Sequence, residues 1–202
     1  NTKTPFKENH SVDHPISLYA ATKKSNELHA HVYSHLYGLP STGLRFFTVY
    51  GPWGRPDMAL FKFTKNIFEN KPIDVYNSGK MVRDFTYIDD IVEGVIRVTD
   101  KISLPSNMHD ANNPNASISD APYRVFNIGC GQPTNLMDYI KAIEENIGVK
   151  AEMNFLEAQP GDVLITSSDN QLLNDWIEFM PSTSIDVGVK KFINWYRKFY
   201  KI

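Results

Sequence analysis

The sequence predicts an α/β fold. Runs with apolar residues at helical spacing alternate with short β-branched and aromatic runs along the chain. One of those runs, "TGLRFFTVYG", is bounded by glycines and almost continuously apolar, as a strand covered on both faces would be. No internal repeat interrupts the alternation.

Residues 1–15, "NTKTPFKENHSVDHP", are polar, contain two prolines and read as a loop. From Ile16 to Tyr37 the helical spacing predicts one long helix, closed by Gly38 and Pro40 in "YGLP". The strand at 42–51 follows. Next come the loop "GPWGRPDM" and a helix over "ALFKFTKNIFEN". A short strand "IDVYN" and the turn "SGK" lead to "RDFTYIDD", whose Asp89 and Asp90 are expected to cap the helix "IVEGVIRVTDKI". Residues 103–122, rich in Ser, Asn, Pro and Asp, read as an exposed insertion loop. The remainder predicts a strand "YRVFNIG", a helix over 136–147, a strand "KAEMNF", a loop through "QPGD" and a last amphipathic helix ending in "FINWYRKFY".

Composition bounds the function classes. The 202 residues suffice for one domain or two small ones, and 42% hydrophobic with 22% charged is ordinary for a globular protein. With 21 basic and 23 acidic residues the net charge is −2, and no run of like charge forms a tail. Nucleic acid and anionic membrane surfaces are therefore poor partners. A single cysteine, Cys130, excludes an internal disulfide framework and fits a reducing, cytoplasmic setting. No apolar run reaches the ~18 residues of a membrane span, and "NTKTPFKENH" does not read as a signal peptide.

Several groups could carry chemistry. In "SLYAATKKSNE", Tyr19 and Lys23 stand four apart, which on a helix puts both on one small volume. A phenol with an ordinary pKa near 10 needs about 4 kcal/mol of help to act as a base at neutral pH, and a neighbouring ammonium favours the phenolate. By spacing alone, such a pair is also common on exposed helices. His31 and His35 share a helix face, but no acidic or cysteine partner stands at ligand spacing, so solvated histidines and no metal are expected. Cys130 has no cationic neighbour in sequence to activate it. Gly129-x-Gly131 follows a strand and precedes a helix, yet Thr134 stands where a dinucleotide fingerprint needs its third glycine. A tight strand-to-helix turn with Asn135 near the cap is the expected structure.

Taken in order, "YAATKKSNE", "LRFFTVYGP", "GRPDMA", "MVRDFTYIDDI" and "QPGDV" resemble the C-terminal half of the extended short-chain dehydrogenase/reductases, the NAD-dependent epimerase/dehydratase family. The likeness is greatest to members that interconvert UDP-glucuronate and UDP-galacturonate. The resemblance implies a remnant of a Rossmann-like sheet over 1–55 carrying Tyr-x-x-x-Lys, and over 56–202 mostly a smaller substrate-binding α/β domain with some segments returning to the sheet. It implies that Tyr19 takes the proton of the sugar 4-hydroxyl, that Lys23 favours its phenolate and holds the nicotinamide ribose of NAD, and that Phe46 lies against the nicotinamide. Thr48 and Arg55 are implied at the hexose and its carboxylate, where a guanidinium fork suits two oxygens. Arg83 is implied at the diphosphate, Tyr76 near the uracil, and Gln159 with Asp162 at the ribose or phosphate. The plain alternatives are a surface ion pair for Arg83 and Asp84, a core aromatic for Tyr76, a β-favouring residue for Thr48 and a mere turn for "PGD".

The same resemblance implies a glycine-rich NAD-binding turn that does not occur before Tyr19, so on the order of a hundred residues are expected upstream in the parent protein. A fragment inactive by itself is the resulting expectation, with homodimerisation through the helix at 16–37. A 4,6-dehydratase or UDP-glucuronate decarboxylase begins with the same C4 oxidation and stays open, as does a non-catalytic binding or dimerisation module.

Overall fold

A computed structural model describes residues 3–159 and 162–202. Of the segments expected as loops, Asn1 and Thr2 at the start and Pro160 and Gly161 of "QPGD" lie outside the described residues.

In chain order the elements are α1 (Leu18–Tyr37), β1 (Ser41–Phe46), β2 (Thr48–Tyr50), α2 (Ala59–Phe68), β3 (Ile73–Tyr76), a 3-10 turn (Asn77–Gly79), β4 (Val82–Tyr87) and α3 (Ile88–Asp100). They continue with β5 (Tyr123–Ile128), β6 (Pro133–Asn135), α4 (Leu136–Ile147), β7 (Met153–Leu156), α5 (Gln171–Ile177) and α6 (Ile185–Tyr200). The α/β alternation is as expected. Ser17 caps α1, its Oγ accepting the Ala20 N–H at 3.2 Å, and Gly38 ends the helix in the left-handed conformation (φ 63°) that only glycine adopts freely.

The expected single strand at 42–51 is two strands. β1 pairs in parallel with β5, from Ser41 opposite Tyr123 to Phe46 opposite Ile128. Phe47 keeps one bond to that partner, its N–H donating to Ile128 O at 3.1 Å. β2 then pairs in parallel with β4, Thr48 opposite Phe85. An unbroken apolar run carries no sign of a change of partner, which only the tertiary arrangement imposes. β4 also pairs antiparallel with the unexpected β6, and β3 with β7 in parallel.

Two further expectations are corrected. Asp89 and Asp90 do not cap α3, which begins at Ile88 after Tyr87 and has both in its first turn. There their charges are favourable at the positive end of the helix dipole, and Asp90 caps a different segment, accepting the backbone N–H groups of Ser182 (3.0 Å) and Thr183 (2.8 Å). The loop at 103–122 has no regular element, but it is not simply exposed. Ser103, Ser106, Ser117 and Ser119 are buried, and Ser103 Oγ lies 2.6 Å from Thr42 Oγ1.

Two apolar cores result. The larger joins α2, β3, β4, α4 and α6 around Tyr139, Ile140, Ile143, Val189 and Phe192. The smaller joins α3, β5 and α5 around Ile128, Ile91 and Leu173, with Leu44 of β1 packed against it. The two meet along β2, where Val49 packs against the smaller core and Tyr50 belongs to the larger.

Candidate active site

A cleft of about 880 Å³ opens over the break between β1 and β2, within the size range of small-molecule sites. Phe46, Phe47, Thr48 and Val49 form its floor. The first turn of α1 supplies Tyr19 and Ala20, and the loop after β2 supplies Trp53, Gly54, Arg55 and Met58. Val163 and Thr166 close it from the segment that runs beside β4, where Val82 N–H donates to Leu164 O at 3.0 Å.

Tyr19 is 71% exposed on the cleft wall. Lys23, one turn on, is exposed with its Nζ 5.4 Å from the Tyr19 ring centroid. The four-residue spacing thus does bring phenol and ammonium together. Helix α1 has just one buried residue, Ser34, and polar contacts hold it. Arg45 of β1 clasps Glu27 with two hydrogen bonds (2.6 and 2.9 Å), Tyr123 Oη donates to Glu27 O at 3.3 Å, and His31 Nε2 lies 2.8 Å from Ser119 Oγ. His31 is therefore partly engaged by the loop at 103–122, while no cluster of three metal-ligating side chains exists among the described residues.

The cleft gathers Tyr19, Phe46, Thr48 and Arg55 of the predicted site residues. Lys23, Arg83, Tyr76, Gln159 and Asp162 are not among its lining residues. Arg83 is half-buried on β4 and donates to Leu164 O at 3.2 Å. Burial lowers its pKa, and the nearby Asp162 carboxylate opposes that shift. Tyr76 is half-buried at the end of β3 opposite Leu156, and Gln159 and Asp162 are exposed on the loop beyond β7.

The alternative of a surface ion pair between Arg83 and Asp84 is wrong. Asp84 is fully buried, and its carboxylate accepts from Cys130 N–H (2.9 Å), Gly131 N–H (3.1 Å), Ser168 N–H (2.8 Å) and Ser168 Oγ (2.5 Å). The Gly129-x-Gly131 turn is thus an anion-binding turn already filled by a carboxylate of the chain itself. A dinucleotide pyrophosphate finds no cradle there. Asn135 sits at the α4 cap position, bonded to Asp138 rather than to the helix backbone. Burial pushes the Cys130 thiol up to about 11, in keeping with an inert cysteine.

A model of the NAD dependent epimerase/dehydratase family matches residues 1–129. The chain belongs to this family. It is 61% identical over 202 residues to a 37.6 kDa protein of the cld 5′ region of Escherichia coli O111:H-, covering all of this chain and 60% of that one. It is 48% identical to the "Probable UDP-glucuronate 4-epimerase" of Rhizobium meliloti, again over the whole chain and 59% of the relative. Among solved structures it is similar to UDP-glucuronic acid 4-epimerase from Bacillus cereus in complex with UDP-glucuronic acid and NAD, at 30% identity and a TM-score of 0.79 over 98% of this chain and 59% of that one. The chain therefore spans between 46% and 60% of the length of these and other curated relatives it matches.

The residues present fit one end of the NAD that this family uses. Tyr19 and Phe46, both more than half exposed, border the same open cleft of about 880 Å³, which offers a phenol and an aromatic ring to a flat cofactor ring. Most of the other residues lining the cleft carry no role predicted from the sequence, among them Trp53, Lys7, Arg45 and Asn127. Arg45 and Asn127 support its floor, and Asn127 Nδ2 donates to Phe6 O at 2.9 Å, fastening the N-terminal segment. A buried asparagine inside the apolar run "VFNIG" was the readable sign of such a fastening.

Proposed function

We propose that the whole protein is a nucleotide-sugar 4-epimerase that interconverts UDP-glucuronate and UDP-galacturonate, and that this chain carries its proton-transfer pair and its carboxylate-recognising rim. The observation that carries the reading is the shared cleft, in which an exposed tyrosine with an adjacent lysine faces a loop bearing a guanidinium.

In this reading Tyr19 Oη takes the proton of the sugar 4-hydroxyl and returns it after the 4-keto sugar has turned over. Lys23 stabilises the phenolate that Tyr19 needs for this. NAD, when bound, supplies the acceptance and return of hydride at C4, and Phe46 with Lys23 would hold its nicotinamide end. Thr48 hydrogen-bonds the hexose, and Arg55 binds the C6 carboxylate with its two-pronged fork. Arg83, Tyr76, Gln159 and Asp162 serve the uridine diphosphate beyond the cleft. Asp162 adjoins the cleft residue Val163 in sequence, which supports this extension. Residues 1–55, joined by α3, β5 and α5, make the dinucleotide side, and the rest of 56–202 the substrate side. Two copies pair through α1, where Leu28, Val32, Tyr33 and Leu36 leave an apolar stripe exposed. A role in making surface polysaccharide in the cytoplasm goes with the substrate.

The test is turnover. UDP-glucuronate and NAD are incubated with the chain alone and with the chain extended to the length of its relatives, and anomeric proton signals are followed. The expected result is UDP-galacturonate from the extended form only, with Tyr19→Phe reducing the rate by about 10²–10⁴-fold. Product from the chain alone would refute the need for upstream residues. Release of CO₂ would turn the reading to a decarboxylase, loss of the C6 hydroxyl as water from UDP-glucose supplied in a parallel incubation would turn it to a dehydratase, and silence from both forms would end it.

A further inference from the structure

The loop 51–58, "GPWGRPDM", holds Arg55 in a particular state. Its Nε donates to Asp57 Oδ1 at 3.1 Å and its Nη2 to Asp57 Oδ2 at 2.9 Å, with Met58 Sδ 3.5 Å from Nη2. Both prongs of the fork are thus taken by a carboxylate two residues away, in the side-on pairing that a bound sugar carboxylate would need.

The rest of the loop is fastened. Trp53, in a left-handed conformation (φ 63°), packs against Trp195 at 5.3 Å and Phe199 at 5.1 Å between ring centroids on α6. Gly54 N–H donates to Gly51 O at 3.2 Å. Met58 N–H donates to Arg55 O at 3.1 Å, closing a turn around Pro56 that keeps Asp57 beside Arg55. The ion pair itself stands on the cleft rim, its side chains 72% and 62% exposed.

We propose that Asp57 is an internal competitor for the fork of Arg55, occupying it in the absence of substrate and yielding it only to an incoming carboxylate. This rests on the reading of Arg55 as the uronate-binding group. A hydroxymethyl group, as on a neutral hexose, offers no pair of anionic oxygens, so with such a sugar Arg55 stays with Asp57. A C6 carboxylate replaces both acceptors at once. The exposed pair is cheap to open, about 2- to 5-fold in an equilibrium constant, so the competition tunes affinity for the uronate without preventing its binding. The hydrogen bonds from Arg55 lower the Asp57 carboxyl from its ordinary value of 3.8, so the competitor stays charged into mildly acidic solution.

The proposal is tested on the protein extended to the length of its relatives, labelled with nitrogen-15 and carrying Tyr19→Phe to stop turnover, by following the Arg55 Nε–H signal while UDP-glucuronate or UDP-glucose is added at millimolar concentration. Asp57→Asn and Asp57→Ser in that protein are compared with the form retaining Asp57, their amide spectra serving as the check of fold. The expected result is that UDP-glucuronate moves the Arg55 signal, that both variants bind it about 2- to 5-fold more tightly, and that their affinity for UDP-glucose stays within twofold. A merely structural role for Asp57 would change both ligands alike. If UDP-glucuronate moves the Arg55 signal but binds the variants no more tightly, or if both sugars tighten equally, the competitor role is overturned and the uronate reading stands. If UDP-glucuronate leaves Arg55 unmoved, the uronate reading of Arg55 falls and the competitor role with it.

Discussion

Among single residues, Asp84 and Glu8 show how buried carboxylates differ in consequence. Asp84 receives four donors, so its removal orphans the buried N–H and hydroxyl of Ser168 and strips the exposed Gly131 N–H of its acceptor, while Cys130 N–H keeps Thr86 Oγ1 at 3.0 Å. Asp84→Ala is expected to lower stability by about 3 kcal/mol or more, read from urea unfolding, because each buried unsatisfied donor costs about 1–3 kcal/mol. Glu8 is also buried and accepts the Asn127 N–H at 2.9 Å, but burial raises its carboxyl above the ordinary value of 4.5. A carboxyl raised by folding is destabilising once ionised. The penalty is absent below the unfolded pKa and complete above the folded one. Glu8→Gln is therefore expected to leave Tm unchanged at pH 4 and to raise it at pH 8 by about 2–4 °C, measured calorimetrically. Neither role was legible in the sequence, where Asp84 sits beside an arginine and Glu8 lies in a polar stretch. Distance in sequence hides the partners at 127–131 and 168.

At the scale of elements, helix α6 reverses a familiar rule. Glycine inside a helix is ordinarily less favourable than alanine by about 1 kcal/mol. At Gly188, however, an added Cβ would run into the Tyr50 ring and hydroxyl. Gly188→Ala is expected to destabilise by about 1–3 kcal/mol through overpacking, seen as a lower urea midpoint. Helix α1 is the contrasting case, held to β1 and β5 by polar groups. Arg45→Met, which strips Glu27 of its two charged hydrogen bonds, is expected to cost about 2 kcal/mol and to speed amide exchange in α1 relative to α4. The helices with strong caps or long periodic faces were readable, and the 136–147 expectation coincides with α4. Helix α5 was not, because its seven residues span two turns and give periodicity too little length.

For the whole molecule, the notable surface is the outer face of α1. Leu28, Val32 and Leu36 recur at four-residue spacing and are 47–63% exposed, with Tyr33 and Tyr37 beside them. If two copies pair there, sedimentation equilibrium is expected to give a dimer, and Val32→Glu with Leu36→Glu a monomer with unchanged circular dichroism. A monomer from the unaltered chain would remove α1 pairing from the proposed function. No helix among the described residues is long and apolar enough to cross a membrane.

By itself the sequence determined the α/β alternation, the C-terminal end of α1, the bounds of α4, and the face shared by Tyr19 and Lys23, because each follows from periodicity, caps or spacing within about twenty residues, while α1 starts at Leu18 rather than the expected Ile16. The ordered motifs also carried the family. Only the tertiary structure decided that one apolar run becomes two strands with different partners, and that Tyr19, Phe46, Thr48 and Arg55 meet at that break. It alone filled the Gly129-x-Gly131 turn with Asp84. These facts depend on which distant segment supplies a hydrogen bond or a packing surface, and local pattern does not encode that choice.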